Sequence, residues 1–181
     1  MLGELQKKKI TKEFEALDHN KSGFLSEEDF FLKYEKDSRL AGFEPGSSEG
    51  EVMRLNNVER WKDIQQQIDK DGDSQISLEE WLDYHDQVLS GGRFDEVMGK
   101  GISTHFDTDD TDGDGKIKAD IFLNNRKESF DMKEDELDEM RKRFDPNKDG
   151  YIEREDMLRL TREFYMSNDP EAPGNWYAGR L

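Results

Sequence analysis

The sequence predicts an all-α protein, with four helix–loop–helix units joined as two paired lobes that form one compact body. Three observations carry this expectation. Four short segments rich in Asp, Asn, Ser and Gly recur along the chain, each with an apolar residue at the same place. Apolar residues flanking these segments repeat at three- and four-residue intervals, the period of a helix that buries one face. The third is composition: 27 Lys+Arg against 44 Asp+Glu give a formal charge of −17, with no Cys in 181 residues. That balance argues against nucleic acid as a partner, because phosphate binding needs clustered Lys and Arg. The absence of Cys rules out disulfides, thiolate metal sites and a cysteine nucleophile. Leu, Ile, Val and Phe make up roughly a fifth of the chain, near the level below which highly charged chains stay unfolded. Self-repulsion therefore opposes compaction.

Much of the acid sits in a repeated pattern. Loop one reads Asp18-His-Asn-Lys-Ser-Gly-Phe-Leu-Ser-Glu-Glu-Asp29 and loop two Asp69-Lys-Asp-Gly-Asp-Ser-Gln-Ile-Ser-Leu-Glu-Glu80. Loop three reads Asp110-Thr-Asp-Gly-Asp-Gly-Lys-Ile-Lys-Ala-Asp-Ile121 and loop four Asp145-Pro-Asn-Lys-Asp-Gly-Tyr-Ile-Glu-Arg-Glu-Asp156. An EF-hand loop needs oxygen ligands at positions 1, 3 and 5, a backbone carbonyl at 7, a carboxylate at 12, and Gly at 6 for the turn. Carboxylate and carbonyl oxygens suit a hard cation, and the spacing wraps the chain around one ion. Acid-rich turns arise by chance in so acidic a chain, but four loops with Leu25, Ile76, Ile117 and Ile152 at one common position do not. Those residues allow neighbouring loops to pair as short two-stranded ribbons.

The flanks follow in order. Ile10, Phe14 and Leu17 lead into loop one, and Phe30, Phe31 and Tyr34 leave it. Val58, Trp61, Ile64 and Ile68 enter loop two, and Trp81, Tyr84, His85, Val88 and Leu89 leave it. Phe94, Val97, Met98, Ile102 and Phe106 precede loop three, which Ile121 and Phe122 follow. Asp131-Met-Lys-Glu134 reads as a helix N-cap with a reciprocal Glu, before Leu137, Met140 and Phe144. Met157, Leu160 and Phe164 complete the last helix. Ala41–Gly50 and Ser90–Arg93 read as linkers. The expected divisions are an N-terminal pair, 1–89, a C-terminal pair, 94–165, and a non-helical tail, 166–181, docked on the body through Trp176, Tyr177 and Leu181. The basic opening lacks the apolar run of a secretory leader, Gly is third rather than second, and no stretch approaches a membrane span. The expected location is the cytosol.

The loops differ in their ligands. Loop two offers Asp69, Asp71, Asp73, the Gln75 carbonyl and Glu80, whose two oxygens suit the larger shell of Ca²⁺. Its departure is Ser74 where Gly is expected, which forces a non-Gly residue to positive φ. Loop four offers Asp145, Asn147, Asp149, the Tyr151 carbonyl and Asp156; loop one offers Asp18, Asn20, Ser22, the Phe24 carbonyl and Asp29. Asp at position 12 is one methylene shorter than Glu, so Mg²⁺ is expected to compete at loops 18–29 and 145–156. Loop three has Ile121 in place of the closing carboxylate and Lys118 at position 9, and is expected to be structural. About three Ca²⁺ ions per chain follow from this.

The sequence resembles the sarcoplasmic calcium-binding protein group, including the calexcitins. The features are the Leu5-Gln-Lys-Lys-Lys-Ile10 opening, Asp29 at position 12 of loop one, the Glu79-Glu-Trp-Leu82 exit of loop two, and the Glu163-Phe-Tyr-Met-Ser-Asn-Asp169…Gly174-Asn-Trp176 ending. The resemblance implies a compact cytosolic protein with its tail against the body, binding fewer ions than it has loops and serving as a Ca²⁺ buffer or signalling protein. No catalytic constellation is visible, and a monomer without a membrane span is expected; a protein target is not specified. Two alternatives are a sensor that captures target proteins through Met-rich grooves and a luciferin-binding or photoprotein-like relative. For the latter, His19, His85, His105, Trp61, Trp81 and Trp176 are the cavity candidates. The seven Met residues are spread along the chain, and the chain ends in Leu181 where photoproteins of this type end in Pro.

Overall fold

The periodic flanks form eight α-helices among the residues described by the structure, a computed structural model covering residues 1–44, 46–110 and 112–181. The side chains of residues 40, 41, 104, 105, 108 and 109, among them the candidate His105, lie outside that description. The order is α1 (Glu4–Leu17), β1 (Phe24–Leu25), α2 (Glu27–Ala41), α3 (Ser48–Ile68), β2 (Ile76–Ser77) and α4 (Leu78–Ser90). A π-helical turn at Asp95–Gly99 then runs into α5 (Lys100–Asp109), followed by β3 (Lys116–Lys118), α6 (Ala119–Phe130), α7 (Glu134–Phe144), β4 (Tyr151–Glu153) and α8 (Arg154–Met166). The chain divides into two units, Phe14–Tyr84, and Met1–Glu13 with His85–Leu181.

Within Phe14–Tyr84, β1 pairs antiparallel with β2, placing Leu25 opposite Ile76. Both are fully buried, so the repeated apolar position of the loops sets the register. Phe14 meets Trp81 edge-on at 6.2 Å, and Phe30 meets Trp61 at 5.5 Å. The first linker is shorter than the turn residues suggested: Ala41 still belongs to α2, and Ser48 already begins α3. Gly42 caps α2 at φ 72, and Phe43 N–H bonds back to the Ser38 carbonyl. A left-handed C-cap of this kind ends a helix abruptly, which moves the boundary forward. Ser47 accepts the Gly50 N–H to start α3.

In the other unit, β3 pairs with β4 and sets Ile117 opposite Ile152. The Asp131 N-cap does not form. Asp131 lies at φ 49 as the C-cap of α6, and α7 starts at Glu134, where the Glu136 carboxylate accepts the Lys133 N–H at 3.0 Å. The left-handed conformation, which Asp tolerates better than most residues, serves the end of one helix rather than the start of the next.

The tail differs from the expected irregular segment: Pro173–Ala178 forms a 3₁₀ turn, with Pro at its start and Gly174 beneath α8. A Cβ on Gly174 would fall 2.3 Å from the Leu160 carbonyl, so only glycine allows this approach. The turn delivers the Tyr177 ring to Phe164 at 5.2 Å and Phe144 at 6.4 Å, with the Arg126 guanidinium 4.3 Å over its face. Trp176 is half-buried and carries the Arg143 guanidinium 4.8 Å above it.

Lys9, which helical spacing puts beside the apolar stripe of α1, is 0% exposed. Its ammonium donates to the Ser167 carbonyl at 2.8 Å and to Asn175 Oδ1 at 2.9 Å. Gln6 reinforces the contact by donating to the Tyr165 carbonyl at 2.9 Å. Burial lowers the pKa of Lys9 to about 8, with Glu163 pulling the other way. Lys9→Met leaves two acceptors without their donor and is expected to lower stability by about 1–3 kcal/mol. The pH dependence identifies the cause. Between about pH 8 and the ordinary lysine value the unfolded chain binds the proton that the folded chain has released, so Lys9 makes stability rise with pH across that window. Denaturant titrations at several pH values should show this rise in the parent and not in Lys9→Met; parallel curves would refute the assignment.

Candidate metal centres

Each loop is built by its first aspartate. Asp18 accepts the N–H groups of Ser22 (3.0 Å) and Gly23 (2.9 Å), and Asp69 those of Gly72 (2.7 Å) and Ser74 (3.1 Å). Asp110 accepts from Asp114 (3.1 Å) and Gly115 (3.0 Å), and Asp145 from Asp149 (3.2 Å) and Gly150 (3.1 Å). These bonds curl the chain back over its first aspartate.

In loop two, oxygens of Asp69, Asp71 and Asp73 lie within 4.8 Å of one another. Asp73 is steadied by the Gln75 N–H at 2.8 Å. Glu80 reaches back over the loop, accepting from Lys70 N at 3.0 Å and from Ser77 N and Oγ at 2.9 and 2.8 Å. Burial pushes the Glu80 carboxyl up, but the bonds from Ser77 and Lys70 outweigh it and hold the pKa below the ordinary value. The ionised carboxylate is thus fixed where a cation needs it.

Loop one closes the same way with fewer charges. Asp29 is 1% exposed and accepts from Asn20 N at 3.1 Å and from Ser26 N at 2.9 Å. The Ser22 hydroxyl donates to the Phe24 carbonyl at 2.9 Å, which brings the oxygens of positions 5 and 7 together. Asn20 donates to Glu28 at 2.9 Å, leaving its own carbonyl oxygen to accept the Ser22 N–H. Neighbouring His19 is half-buried; burial first, then Lys33 and Lys36, lower its pKa, so it adds no positive charge at neutral pH.

Loop four gathers Asp145, Asn147 and Asp149, with Asp149 accepting the Tyr151 N–H at 2.9 Å. Its twelfth residue behaves differently. Asp156 Oδ1 accepts from Arg159, three residues further along α8, at 2.6 Å. In loop three, Asp110, Asp112 and Asp114 cluster within 4.8 Å as in loop two, while Ile121 is 43% exposed and supplies no oxygen. The donor sets of loops one and two therefore fit a hard divalent cation, loop four adds Asp156 paired with Arg159, and loop three makes the same curl without a closing carboxylate.

Positive φ appears twice per loop. Position 4 is Lys21 (58°), Gly72 (76°), Gly113 (72°) or Lys148 (60°), and position 6 is Gly23 (85°), Ser74 (67°), Gly115 (84°) or Gly150 (85°). Ser74 thus takes the conformation that its place in the motif demands. Sequence spacing pointed to position 6 and missed the strain at position 4.

EF-hand models match both halves of the chain: an EF-hand domain pair over residues 100–162 and an EF hand over residues 11–30 and 66–83. The fold is similar to a sarcoplasmic calcium-binding protein from amphioxus, with a TM-score of 0.74 and 18% identity over 100% of both chains. It is also similar to the coelenterazine-binding protein of Renilla muelleri in its calcium-loaded apo form (TM-score 0.71, 23% identity, 99% of this chain and 100% of that one). An okadaic acid binding protein 2.1 gives a TM-score of 0.75 at 14% identity, over 100% of this chain and 98% of that one. A comparison with curated proteins finds no significant match. The chain is an EF-hand calcium-binding protein. Within that class it has the four-hand fold of the sarcoplasmic calcium-binding protein group. Among the described residues no helix is long and apolar enough to cross a membrane.

Ser74→Gly should relieve the left-handed cost at position 6, about 1 kcal/mol, and tighten Ca²⁺ at loop two several-fold. Unchanged affinity in a calorimetric titration would show that Ser74 is not strained in the loaded protein.

Proposed function

We propose that the chain is a monomeric cytosolic Ca²⁺/Mg²⁺ buffer that acts by binding rather than catalysis and takes three ions, in loops 18–29, 69–80 and 145–156. The hands are proposed to work as the pairs 1–89 and 94–165, with the tail 166–181 held down. The observation that favours buffering over target capture is the placement of Tyr177 among Phe122, Phe130, Phe144 and Phe164. A sensor opens its helices to offer an apolar groove to another protein; here the chain's own tail lies against the aromatic side chains of α6, α7 and α8, tied to α1 by Lys9, which donates to Ser167 and Asn175, and by Gln6, which accepts from Asn168. Bound ions would be held by the oxygens of Asp18, Asn20, Ser22, Phe24 and Asp29, of Asp69, Asp71, Asp73, Gln75 and Glu80, and of Asp145, Asn147, Asp149, Tyr151 and Asp156. The ions would supply charge neutralisation, and the chain the oxygens.

Glu80 is the only glutamate at position 12, which favours Ca²⁺ at loop two. Asp29 and Asp156 reach less far, and Asp156 shares one oxygen with Arg159. Calorimetric titration with Ca²⁺ is expected to give three sites. Millimolar Mg²⁺ should weaken two of them and leave the Glu80-dependent site nearly unchanged. A dye for apolar surface should bind equally with and without Ca²⁺; a Ca²⁺-dependent rise in its fluorescence would move the protein to the sensors.

Asp29→Glu and Asp156→Glu are each expected to raise the preference for Ca²⁺ over Mg²⁺, because the longer side chain can offer both oxygens. Mg²⁺ competition that stays the same in both variants would remove side-chain reach as the source of selectivity.

A further inference from the structure

Loop three poses a physical question. Asp110, Asp112 and Asp114 hold their oxygens as close together as the three aspartates of loop two, yet no carboxylate stands at position 12 to complete a cation shell. We infer that Arg154 is the internal counter-cation of loop three: its guanidinium supplies part of the positive charge that ions supply to the other loops, and so sets loop three against ion binding. This rests on the three-ion stoichiometry proposed above.

Pairing of the loops puts Arg154 there. Position 10 of each loop in this pair bonds to the position-6 glycine of the other: Ala119 N–H to the Gly150 carbonyl at 2.9 Å, and Arg154 N–H to the Gly115 carbonyl at 3.2 Å. The two contacts are equivalent in backbone and opposite in consequence. Loop four receives a methyl group, and loop three receives a guanidinium. In the other pair the same position is Glu27 or Leu78, neither of them cationic.

The side chain is then held in place. The guanidinium lies 4.4 Å over the Phe106 ring, donates to Asp107, and brings Nη2 to 3.9 Å from Asp110 Oδ2. The Asp110 side chain is only 3% exposed and that of Arg154 34%, so water screens the interaction in part. Asp110 is also the ligand that shapes the loop, through the Asp114 and Gly115 N–H groups. A unit charge about 4 Å from Asp110 interacts with it by roughly fivefold in affinity terms at the dielectric of water, and by more where burial lowers it, and this attraction competes with that of a second cation. Lys116 in the same loop pairs with Glu153 at 2.7 Å, as Arg154 pairs with Asp107, but it is the Arg154 guanidinium that also comes within 4 Å of Asp110.

Two substitutions test the inference in the full chain. Ile121→Glu supplies the missing carboxylate, and Arg154→Met removes the charge while keeping an apolar stem over Phe106. Ca²⁺ sites are counted and their affinities measured by calorimetry for Ile121→Glu with and without Arg154→Met. The expected result is a fourth site that is weak in Ile121→Glu and at least about tenfold tighter in the double variant. With excess chelator, Arg154→Met alone should speed hydrogen exchange at the Gly115 amide. If Arg154→Met fails to fold, Arg154→Gln, which can still donate to Asp107, takes its place in both measurements. Equal fourth-site affinities with and without Arg154 would overturn the inference. Failure of the stoichiometry looks different: the parent would show a fourth ion that Asp110→Asn removes. In that case the inference stands if Arg154→Met tightens that ion and falls if it does not.

Discussion

A carboxylate that accepts backbone N–H groups from the turn just after it is the contact on which the structure depends, and Asp18, Asp69, Asp110 and Asp145 all make it. It forces the chain to reverse within a few residues, which requires positive φ at two of them. Once reversed, the loop presents its eighth residue to the partner loop, and Leu25–Ile76 and Ile117–Ile152 zip into ribbons. The helices then leave each ribbon in directions fixed by the loops, and their apolar faces are buried as a consequence. The same carboxylate that shapes the backbone is the first candidate ligand, so folding and ion binding draw on one group.

This arrangement concentrates negative charge in a chain that already carries a formal −17. The surface ion pairs do little to offset it. Arg54–Glu51 and Lys7–Glu4 join side chains between 39% and 92% exposed, where such pairs contribute at most about 1 kcal/mol. Neutralisation inside a loop has to come from a cation that the loop itself surrounds or abuts. The tail answers a different need: it covers aromatic surface in a chain with few aliphatic residues, and the buried Lys9 holds it through hydrogen bonds rather than through an opposite charge.

The parts of the fold legible in the sequence are those whose cause is local. Ligand spacing, the apolar eighth position and the helical periods all act within a dozen residues, so loops, ribbons and helices could be read directly. What escaped the reading depends on partners distant in sequence. Lys9 looks like a solvated lysine until Ser167 and Asn175 meet it, and the burial expected for Tyr177 has no named partner until Phe164 supplies one. Asp131 carried a genuine capping signature, but the end of α6 claimed it first. Asp156 occupies the right position in the motif, yet one turn of helix brings Arg159 to it, a competition that the twelve-residue pattern does not contain.

Loops one and two show two ways of preparing a cation site, side by side on one ribbon. Loop two relies on charge: Asp71 and Asp73 are exposed and close to Asp69, a repulsive arrangement that a divalent ion relieves. Loop one has replaced two of those carboxylates with Asn20 and Ser22 and wired them to Glu28, Phe24 and Asp29 by hydrogen bonds. Its oxygens are held in place at the cost of attraction, whereas the oxygens of loop two attract strongly while repelling one another. Because β1 and β2 pair with Leu25 opposite Ile76, the backbones of the two loops are coupled. An ion drawn first to the charged loop would therefore order the loop that is already nearly set, and little further ordering entropy would remain for the second ion to overcome.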